Sequence, residues 1–341
     1  MAQTRQERLK TALFRGESLN LQNLAYSRML RILTEELLRG DKEPRSPTEW
    51  PTDLTVEALG TGKGETDAVF IANEPGILAG MEEAVWFFTD SGARATSQAA
   101  DGQTLESGQP FLKLEGDSGV LLSLERVGLN LLQRMSGIAT AAQRLQDRVH
   151  RRAPQTNVVA TRKTPWGLLD KRAAHLGGAG THRLGLGDAI LIKGNHLRLF
   201  AAEEEDAIPL ALRKAWASRP RAVFIEVEVT GLAGALAAGR TFRELRRGDE
   251  DSYPCLVMLD NRSPEESARI IAALIEEGVW DDVLVEVSGG VNDATLDAYA
   301  DCGADAISIG ALTHSCKALD LSCKLGCKLE AEIEKHAGNQ A

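Results

Sequence analysis

Residues Thr161–His196 read TRKTPWGLLDKRAAHLGGAGTHRLGLGDAILIKGNH, and this stretch decides the fold that the sequence predicts. A short apolar run at 158–160 precedes it, a helical pattern occupies 166–176, and a second apolar run lies at 189–192. A strand, a helix and a second strand in this order form the repeating unit of a parallel sheet. The second run is apolar throughout, as strands covered on both faces are. The stretch therefore predicts an α/β fold.

The alternation of strand and helix continues to residue 309. Further β-rich runs lie at 223–229, 255–259, 283–287 and 306–309, and helical patterns lie at 201–217, 231–247, 264–277 and 292–302. The six strands are two fewer than a closed eightfold barrel contains. We therefore expect an open (incomplete) α/β barrel of about six parallel strands, with a gap that another subunit could close.

Basic groups concentrate at the carboxyl ends of the first two predicted strands and between them. The basic residues are Arg162, Lys163, His182, Arg183 and Lys193, and the hydroxyl of Thr161 lies beside them in the sequence. Barrels of parallel strands build their active sites at the carboxyl ends. The chain as a whole is acidic, with 39 basic and 49 acidic residues, so this cluster of cations predicts an anion site. We interpret the charged run 170–172 instead as a solvated helix face.

The later strands end in acids and then in glycines. Glu226, Glu228 and Asp260 end the third and fourth strands; the last two are followed by Ser288, Gly289 and Gly290, and by Ile309, Gly310 and Ala311. Free backbone N–H groups where helices begin bind phosphate, although glycine can also serve only to permit a tight turn. Carboxylates beside a phosphate site suit Mg²⁺, held through substrate or water, or a positive charge developing on the substrate. The pattern predicts two anionic substrates, one rich in carboxylates and one phosphorylated.

Composition argues against several classes of protein. The pI near 5.3 is unlike that of nucleic-acid-binding proteins, and no apolar run approaches the ~20 residues that a membrane helix needs. The first twenty residues lack the apolar segment of a signal peptide, so we expect a cytoplasmic protein. The spacing of Cys316, Cys323 and Cys327 favours one face of a helix, and we expect these cysteines to be free and packed in a core rather than bound to metal.

The chain is expected to contain two domains and a flexible beginning. Residues 1–16 are polar and predicted to be flexible. Residues 17–130 predict an N-terminal α/β sandwich domain, completed by a C-terminal helix at 313–336, and residues 131–312 predict the barrel. The three prolines of 41–52 predict a loop, and 243–253 form a long charged segment.

The motifs resemble those of nicotinate-nucleotide pyrophosphorylase, also called quinolinate phosphoribosyltransferase. In order they are DLT at Asp53–Thr55, NEPGILAG, ERVGLNLLQRMSGIAT at Glu125–Thr140, TRKT, HRLGLGDAILIK, EVEV, LDN, SGG and IGALTHS. The resemblance covers about residues 20–325. It implies an N-terminal α/β sandwich domain, an open barrel and an obligate homodimer whose subunits share their active sites.

The resemblance also implies a reaction. Quinolinate and phosphoribosyl pyrophosphate would give nicotinate mononucleotide, pyrophosphate and CO₂ in de novo NAD biosynthesis, with Mg²⁺ and without an organic cofactor. Arg126 would reach the neighbouring subunit's site. The cation cluster would line the quinolinate pocket, and Lys163, Glu228 and Asp260 would be catalytic. Glu228 and Asp260 would also lie near the metal.

The sequence departs from the family pattern at three positions. Gly194 stands where the family usually has Asp, Trp166 lies beside the expected pocket entrance, and Thr230 replaces a common acid. These differences leave two alternatives open. One is a related phosphoribosyltransferase for another carboxylate or heterocyclic acceptor, of the molybdenum-operon type; the other is a non-catalytic homologue that binds a phosphorylated ligand.

Overall fold

The computed structural model describes residues 3–41, 53–246 and 253–340. Apart from Asp41, the loop predicted at 41–52 lies outside these ranges, as does the central part of the charged segment 243–253. No helix within the described ranges is both long enough and apolar enough to cross a membrane.

The elements alternate along much of the chain. The α-helices are α1 Arg5–Leu13, α2 Leu24–Asp41, α3 Leu54–Leu59, α4 Met81–Asp90, α5 Ser118–His150, α6 Leu168–Leu176, α7 Gly194–Leu197, α8 Glu204–Trp216, α9 Leu232–Arg246, α10 Pro264–Glu276, α11 Leu296–Ala300, α12 Ala311–His314 and α13 Leu329–Gln340. The strands are β1 Glu65–Ala72, β2 Gly76–Ile77, β3 Arg94–Ser97, β4 Thr104–Leu105, β5 Pro110–Asp117, β6 Asn157–Val159, β7 Ile190–Ile192, β8 Ile225–Val229, β9 Cys255–Asp260, β10 Leu284–Ser288, β11 Ala306–Ser308 and β12 Leu321–Leu325. Short 3₁₀ turns occur at Gly16–Ser18, Arg219–Arg221 and Trp280–Asp282.

These elements form two compact units. The barrel unit contains residues up to Glu17, Ala142–Gly167 and Gly178–Ser315. The antiparallel unit contains Ser18–Ala141, Leu168–Gly177 and the residues from Cys316 onward. The boundary predicted at 130/131 therefore falls at 141/142, inside α5. A helix that runs unbroken through the boundary leaves no linker in the sequence to mark it.

The sheet of the barrel unit has the strand order β6-β11-β10-β9-β8-β7, and all its pairs are parallel. The first strand pairs with the last, as it would in a closed barrel. Among the described residues β6 and β7 are not paired, although they follow one another along the chain; Gly180 makes an isolated bridge to Val159 in their place. This order confirms the predicted open barrel of six parallel strands.

Helix α1 covers the amino end of this barrel, so the prediction of a flexible segment at 1–16 is wrong for the part that the structure describes. Thr4 caps the helix in a reciprocal capping box with Glu7. Leu9, Ala12 and Leu13 are fully buried against apolar residues at the amino ends of the strands. Their i, i+3, i+4 spacing is the helical signal in an otherwise polar segment.

The antiparallel unit is built on the sheet β12-β1-β5-β3, with β2 and β4 as a separate pair. Its core contains Phe70, whose ring meets those of Phe88 and Phe111 edge-on. Strand β12 corrects the helix predicted at 313–336. Leu319, Leu321, Cys323 and Leu325 alternate with polar residues, which is the period of a strand, and β12 pairs antiparallel with β1. The three cysteines therefore do not share a helix face.

Helix α6, which belongs to the antiparallel unit, corrects the interpretation of 170–172 as a solvated face. Asp170 is fully buried and accepts two bonds, of 2.8 and 2.7 Å, from the Arg134 guanidinium. Lys171 is only 1 % exposed. The charged groups of this segment therefore form ion pairs inside the protein. The order of charges in the sequence does not distinguish such buried pairs from a helix face exposed to solvent.

Candidate active site

A cavity of about 350 Å³ opens at the carboxyl ends of the strands in the barrel unit. Its lining contains predicted residues from both halves of the expected site, namely Thr161, Arg162, Lys163, His182, Arg183, Lys193, Glu228, Asp260, Ser288 and Gly289. It also contains residues that the sequence did not single out as candidates, namely Leu191, Met258, Asn261, Glu286 and Ser308. The cation cluster and the acids therefore face one space.

The remaining predicted site residues do not line this cavity among the described residues, and they differ in burial. Arg126 is exposed on α5 in the antiparallel unit and is not among the described residues that line the cavity. Ile309 is buried, and Gly290 and Ala311 are exposed. Gly310 lies against the cation cluster, because a Cβ added there would be 3.2 Å from Lys163 Cδ.

Two lysines lie at the cavity rim. Both Lys163 and Lys193 are exposed at the ends of β6 and β7. The loop that carries Lys163 is held by its own backbone, since its N–H donates to Thr161 Oγ1 at 3.1 Å and its carbonyl accepts from Thr313 Oγ1 at 2.9 Å. Lys193 Nζ lies 3.5 Å from Glu228 Oε2. Fixed backbones with solvated ammonium groups are suited to capture an incoming anion.

The acids of the rim lie on neighbouring strands. Glu228 on β8 accepts a 3.4 Å bond from the Gly194 N–H, and Asp260 ends β9, where it accepts a 2.9 Å bond from Asn261 Nδ2. Successive inward-facing positions of a barrel strand are two residues apart. Glu226 therefore lies on the same face of β8 as Glu228, one layer deeper.

The glycine loop after β10 is shaped by close contact. Gly289 has φ +87°, and a Cβ there would come 2.2 Å from Asn261 Oδ1, so only glycine fits. The expectation that helices begin directly after the glycines is wrong for this loop, because α11 begins only at Leu296. It is confirmed after β11, where α12 begins at Ala311, although this helix has only four residues. Phosphate would meet backbone N–H groups of the loops rather than the end of a long helix.

The cavity floor holds a buried histidine between two buried carboxylates. His182 Nε2 lies 3.0 Å from Glu226 Oε2 and 3.2 Å from Glu286 Oε2, and both glutamates are 0 % exposed. Burial opposes a charged ring, whereas the Glu286 and Glu226 carboxylates favour one and raise the pKa of His182 above its usual range. Burial, reinforced by Glu286, raises the pKa of Glu226 to about 7. The sequence signal for Glu286 was a lone acid inside the apolar run VLVEV.

Arg183 brings a second guanidinium to the cavity wall. It is 8 % exposed. Burial and the neighbouring Arg162 lower the pKa of Arg183, while Glu226 and Asp188 oppose that change. A largely desolvated Arg in an otherwise cationic wall favours a planar, bidentate anion such as a carboxylate. With the acids and the glycine loop on other walls, the fold and the cavity define an α/β-barrel enzyme for anionic substrates.

Comparison with known proteins identifies the particular family. The chain matches the quinolinate phosphoribosyl transferase N-terminal domain over residues 53–136 and the C-terminal domain of the same family over residues 138–324. It therefore belongs to the quinolinate phosphoribosyltransferase family.

Individual relatives agree with this assignment. A probable nicotinate-nucleotide pyrophosphorylase [carboxylating] of Methanothermobacter thermautotrophicus is 33% identical over 275 residues, which are 80% of this chain and 93% of that protein. Quinolinate phosphoribosyltransferase [decarboxylating] 1 of Nicotiana glauca is 34% identical over 295 residues, covering 82% and 79%. The crystal structure of NadC from Streptococcus pyogenes superposes with a TM-score of 0.72 at 30% identity, covering 87% of this chain and 96% of that one.

Proposed function

We propose that this protein transfers the phosphoribosyl group of phosphoribosyl pyrophosphate to quinolinate and releases nicotinate mononucleotide, pyrophosphate and CO₂. The observation that carries the proposal is the single cavity of about 350 Å³ on which the cation cluster, Glu228, Asp260 and the Ser288–Gly289 loop converge. The names of the relatives in the family support the same reaction. NAD biosynthesis is the process that this product would serve.

The cationic wall would bind quinolinate. Arg162 and Arg183 can each take a carboxylate in a bidentate grip, and Lys193 adds a third positive group. Binding a dianion also relieves the repulsion between Arg162 and Arg183 that lowers the pKa of Arg183 in the free protein. This wall would fix the ring so that its nitrogen faces the donor.

The opposite side would bind phosphoribosyl pyrophosphate. Ser288 and the open backbone around Gly289 offer donors for phosphate, and Lys163 can neutralise part of its charge. Glu228 and Asp260 present hard oxygen ligands toward the same cavity, which suits Mg²⁺ held through substrate or water. Bound there, the metal would offset the charge of the pyrophosphate group.

The reaction would use charge complementarity more than covalent chemistry by the protein. As the bond from ribose to pyrophosphate lengthens, positive charge develops on the sugar, and the Glu228 and Asp260 carboxylates stabilise it. The pyridine nitrogen attacks the sugar. The ring then carries a positive charge, which makes loss of its 2-carboxylate as CO₂ easier, and a proton replaces the carboxylate.

A turnover assay tests the proposal directly. Protein, phosphoribosyl pyrophosphate, Mg²⁺ and quinolinate should give nicotinate mononucleotide, with release of CO₂ in equal amount. Parallel reactions with nicotinate and with other aromatic acids address the alternative acceptors, for which the relatives give no support. Turnover of another acceptor but not of quinolinate would contradict the proposal, and turnover of none would favour a binding protein.

We also propose that the active protein is a homodimer in which Arg126 of each chain completes the site of the other. The support is that Arg126 is an exposed cation outside the cavity lining, in a family that binds anions. Arg126→Ala and Lys163→Ala should each retain about 1 % of the wild-type activity or less alone. Mixed under conditions of subunit exchange, they should recover about a quarter of the wild-type activity, because half the dimers are mixed and each has one intact site. Absence of recovery would contradict a shared site.

A further inference from the structure

His182 has an unusual backbone, and that backbone has a consequence for the cavity. Its φ is +53°, in the left-handed region that residues other than glycine rarely occupy. In an extended chain, neighbouring side chains point to opposite sides. Here His182 and Arg183, which are adjacent, both line the cavity. The left-handed turn is what allows two consecutive side chains to reach the same space.

Contacts from three directions hold this turn. From the amino end of the barrel, the Leu13 carbonyl accepts the N–H groups of Thr181 and His182 at 2.7 and 3.0 Å. From within the loop, the Arg183 N–H donates to His182 Nδ1 at 2.7 Å. From inside the barrel, Glu226 and Glu286 approach Nε2. A strained residue persists only when its surroundings determine it this strongly.

The two glutamates have few other partners. Within the described part of the chain, none of their four carboxylate oxygens has a hydrogen-bond donor of good geometry, and both side chains are completely buried. A buried carboxylate without a partner is costly, and each such group calls for an explanation. His182 Nε2 lies within 3.2 Å of both carboxylates.

A metal ion is the other explanation for this cluster, since one histidine and two carboxylates lie within ligand distance of one another. The contact at Nδ1 argues against it. Because Nδ1 faces the Arg183 N–H, Nε2 is the nitrogen that carries a proton in the neutral ring. A metal on Nε2 would require that proton to move to Nδ1 and break the backbone contact.

We propose that Glu226 and Glu286 are positioning residues for the acceptor subsite: by holding the His182 ring from below, they fix the left-handed turn that places Arg183 in the cavity. They do not touch the substrate in this role. Their effect is confined to the wall that would bind the carboxylates of quinolinate, so the inference rests on the proposed function.

The test compares two substitutions at one position. Glu286→Gln keeps an oxygen that can accept from Nε2–H, whereas Glu286→Ala removes it. We expect Glu286→Ala to raise the KM for quinolinate about tenfold or more, from the usual cost of losing one buried polar contact to a charged group, with the KM for phosphoribosyl pyrophosphate unchanged. Glu286→Gln should restore most of the loss. Wild-type turnover of quinolinate is measured first, so that failure of the proposed function is seen separately.

Two further measurements keep the proposal falsifiable if Glu286→Ala folds poorly. His182→Asn keeps a side chain that tolerates a left-handed backbone and can donate to the glutamates, and it should bind quinolinate better than His182→Ala. Equal KM changes for both substrates, or equal loss in Glu286→Gln and Glu286→Ala, would overturn the proposal. So would a stoichiometric metal ion in the purified wild-type protein that is lost in Glu286→Ala.

Discussion

Two buried glutamates, one in each unit, have similar acidity and different surroundings. Glu226 in the barrel unit and Glu83 in the antiparallel unit are both 0 % exposed, and burial raises the pKa of each to about 7. Glu83 accepts a short hydrogen bond from the buried Tyr26 hydroxyl, and Asp101 raises its pKa further. Glu226 instead faces His182, at the floor of a cavity.

The comparison shows that a raised pKa does not by itself mark a functional site. The two glutamates differ in the structural features that surround them. Around Glu226 there are a strained backbone, a cavity and a set of cations, whereas the Glu83 carboxylate, on α4, pairs with the Tyr26 hydroxyl of α2. We infer that the cluster at Glu83 acts on stability alone, and that the barrel cluster acts on substrate binding. Substitutions can separate these roles.

The largest effect is expected at the rim of the barrel cavity. Lys163→Ala removes an exposed ammonium group that would contact the phosphoribosyl donor, and kcat/KM should fall about 100- to 1000-fold, in the range of lost electrostatic catalysis. The unfolding midpoint should not change, because the side chain is solvated. Lys10→Ala, an exposed lysine on α1 at the opposite end of the same unit, is the matched control. A similar loss in both variants would contradict a specific role.

The second effect is expected on stability, with kinetics unchanged. Between pH 4.5, the usual pKa of a glutamate, and about 7, folded Glu83 holds a proton that the unfolded chain has lost. The folded state therefore binds more protons, and stability falls as pH rises through this window, by about 1–3 kcal/mol. Glu83→Gln should remove this part of the dependence in urea unfolding at pH 5 and pH 7.5.

The matched control for this measurement is Glu106→Gln, an exposed acid of the same unit. It should leave the dependence of stability on pH as it is in the wild type. An unchanged slope in Glu83→Gln, or a changed KM for either substrate, would show that the two buried glutamates do not differ in the way we infer.

The sequence predicted the elements that depend on local residue patterns. It did not predict those that form only through contacts between residues far apart in the chain. The six strands and the groups at their carboxyl ends follow from short apolar runs and the residues directly after them. Helix α1 was missed because its three apolar residues gain burial only from the amino end of the barrel. Strand β12 was missed because two patterns overlap in this segment. The cysteines are spaced seven and four residues apart, which fits a helix, while the alternation of apolar and polar residues fits the strand that forms.

The sequence named the residues at the cavity rim, and at the floor it named His182 and Glu226 but not Glu286. Lys163, Lys193, Glu228 and Asp260 stand at strand ends, where a pattern of chain position reveals them. Glu286 lies inside a strand, and its role depends on the register that brings β10 beside β9 and the turn at His182 opposite them. Neither the register nor a positive φ at a histidine is encoded in local composition.

The smallest effect is expected at Gly194, one of the three positions where the sequence analysis predicted a departure from the family pattern, and it again concerns the rim. Gly194 does not need a positive φ, and a Cβ added there would lie 3.9 Å from Glu228 Oε1. Gly194→Asp should therefore fit and place a second carboxylate beside Glu228. An added hard oxygen ligand favours a divalent cation, so the Mg²⁺ concentration for half-maximal turnover should fall about two- to fivefold.

Gly194→Asn isolates the charge in this last comparison, because it has the same shape and no negative charge. It should leave the Mg²⁺ requirement close to that of the wild type. If both variants shift the requirement equally, the effect is steric, and Glu228 is not close to the metal. A shift in Gly194→Asp alone, with stability unchanged, would support a metal at the rim of the cavity and would leave the buried Glu226 and Glu286 to their separate role in holding His182.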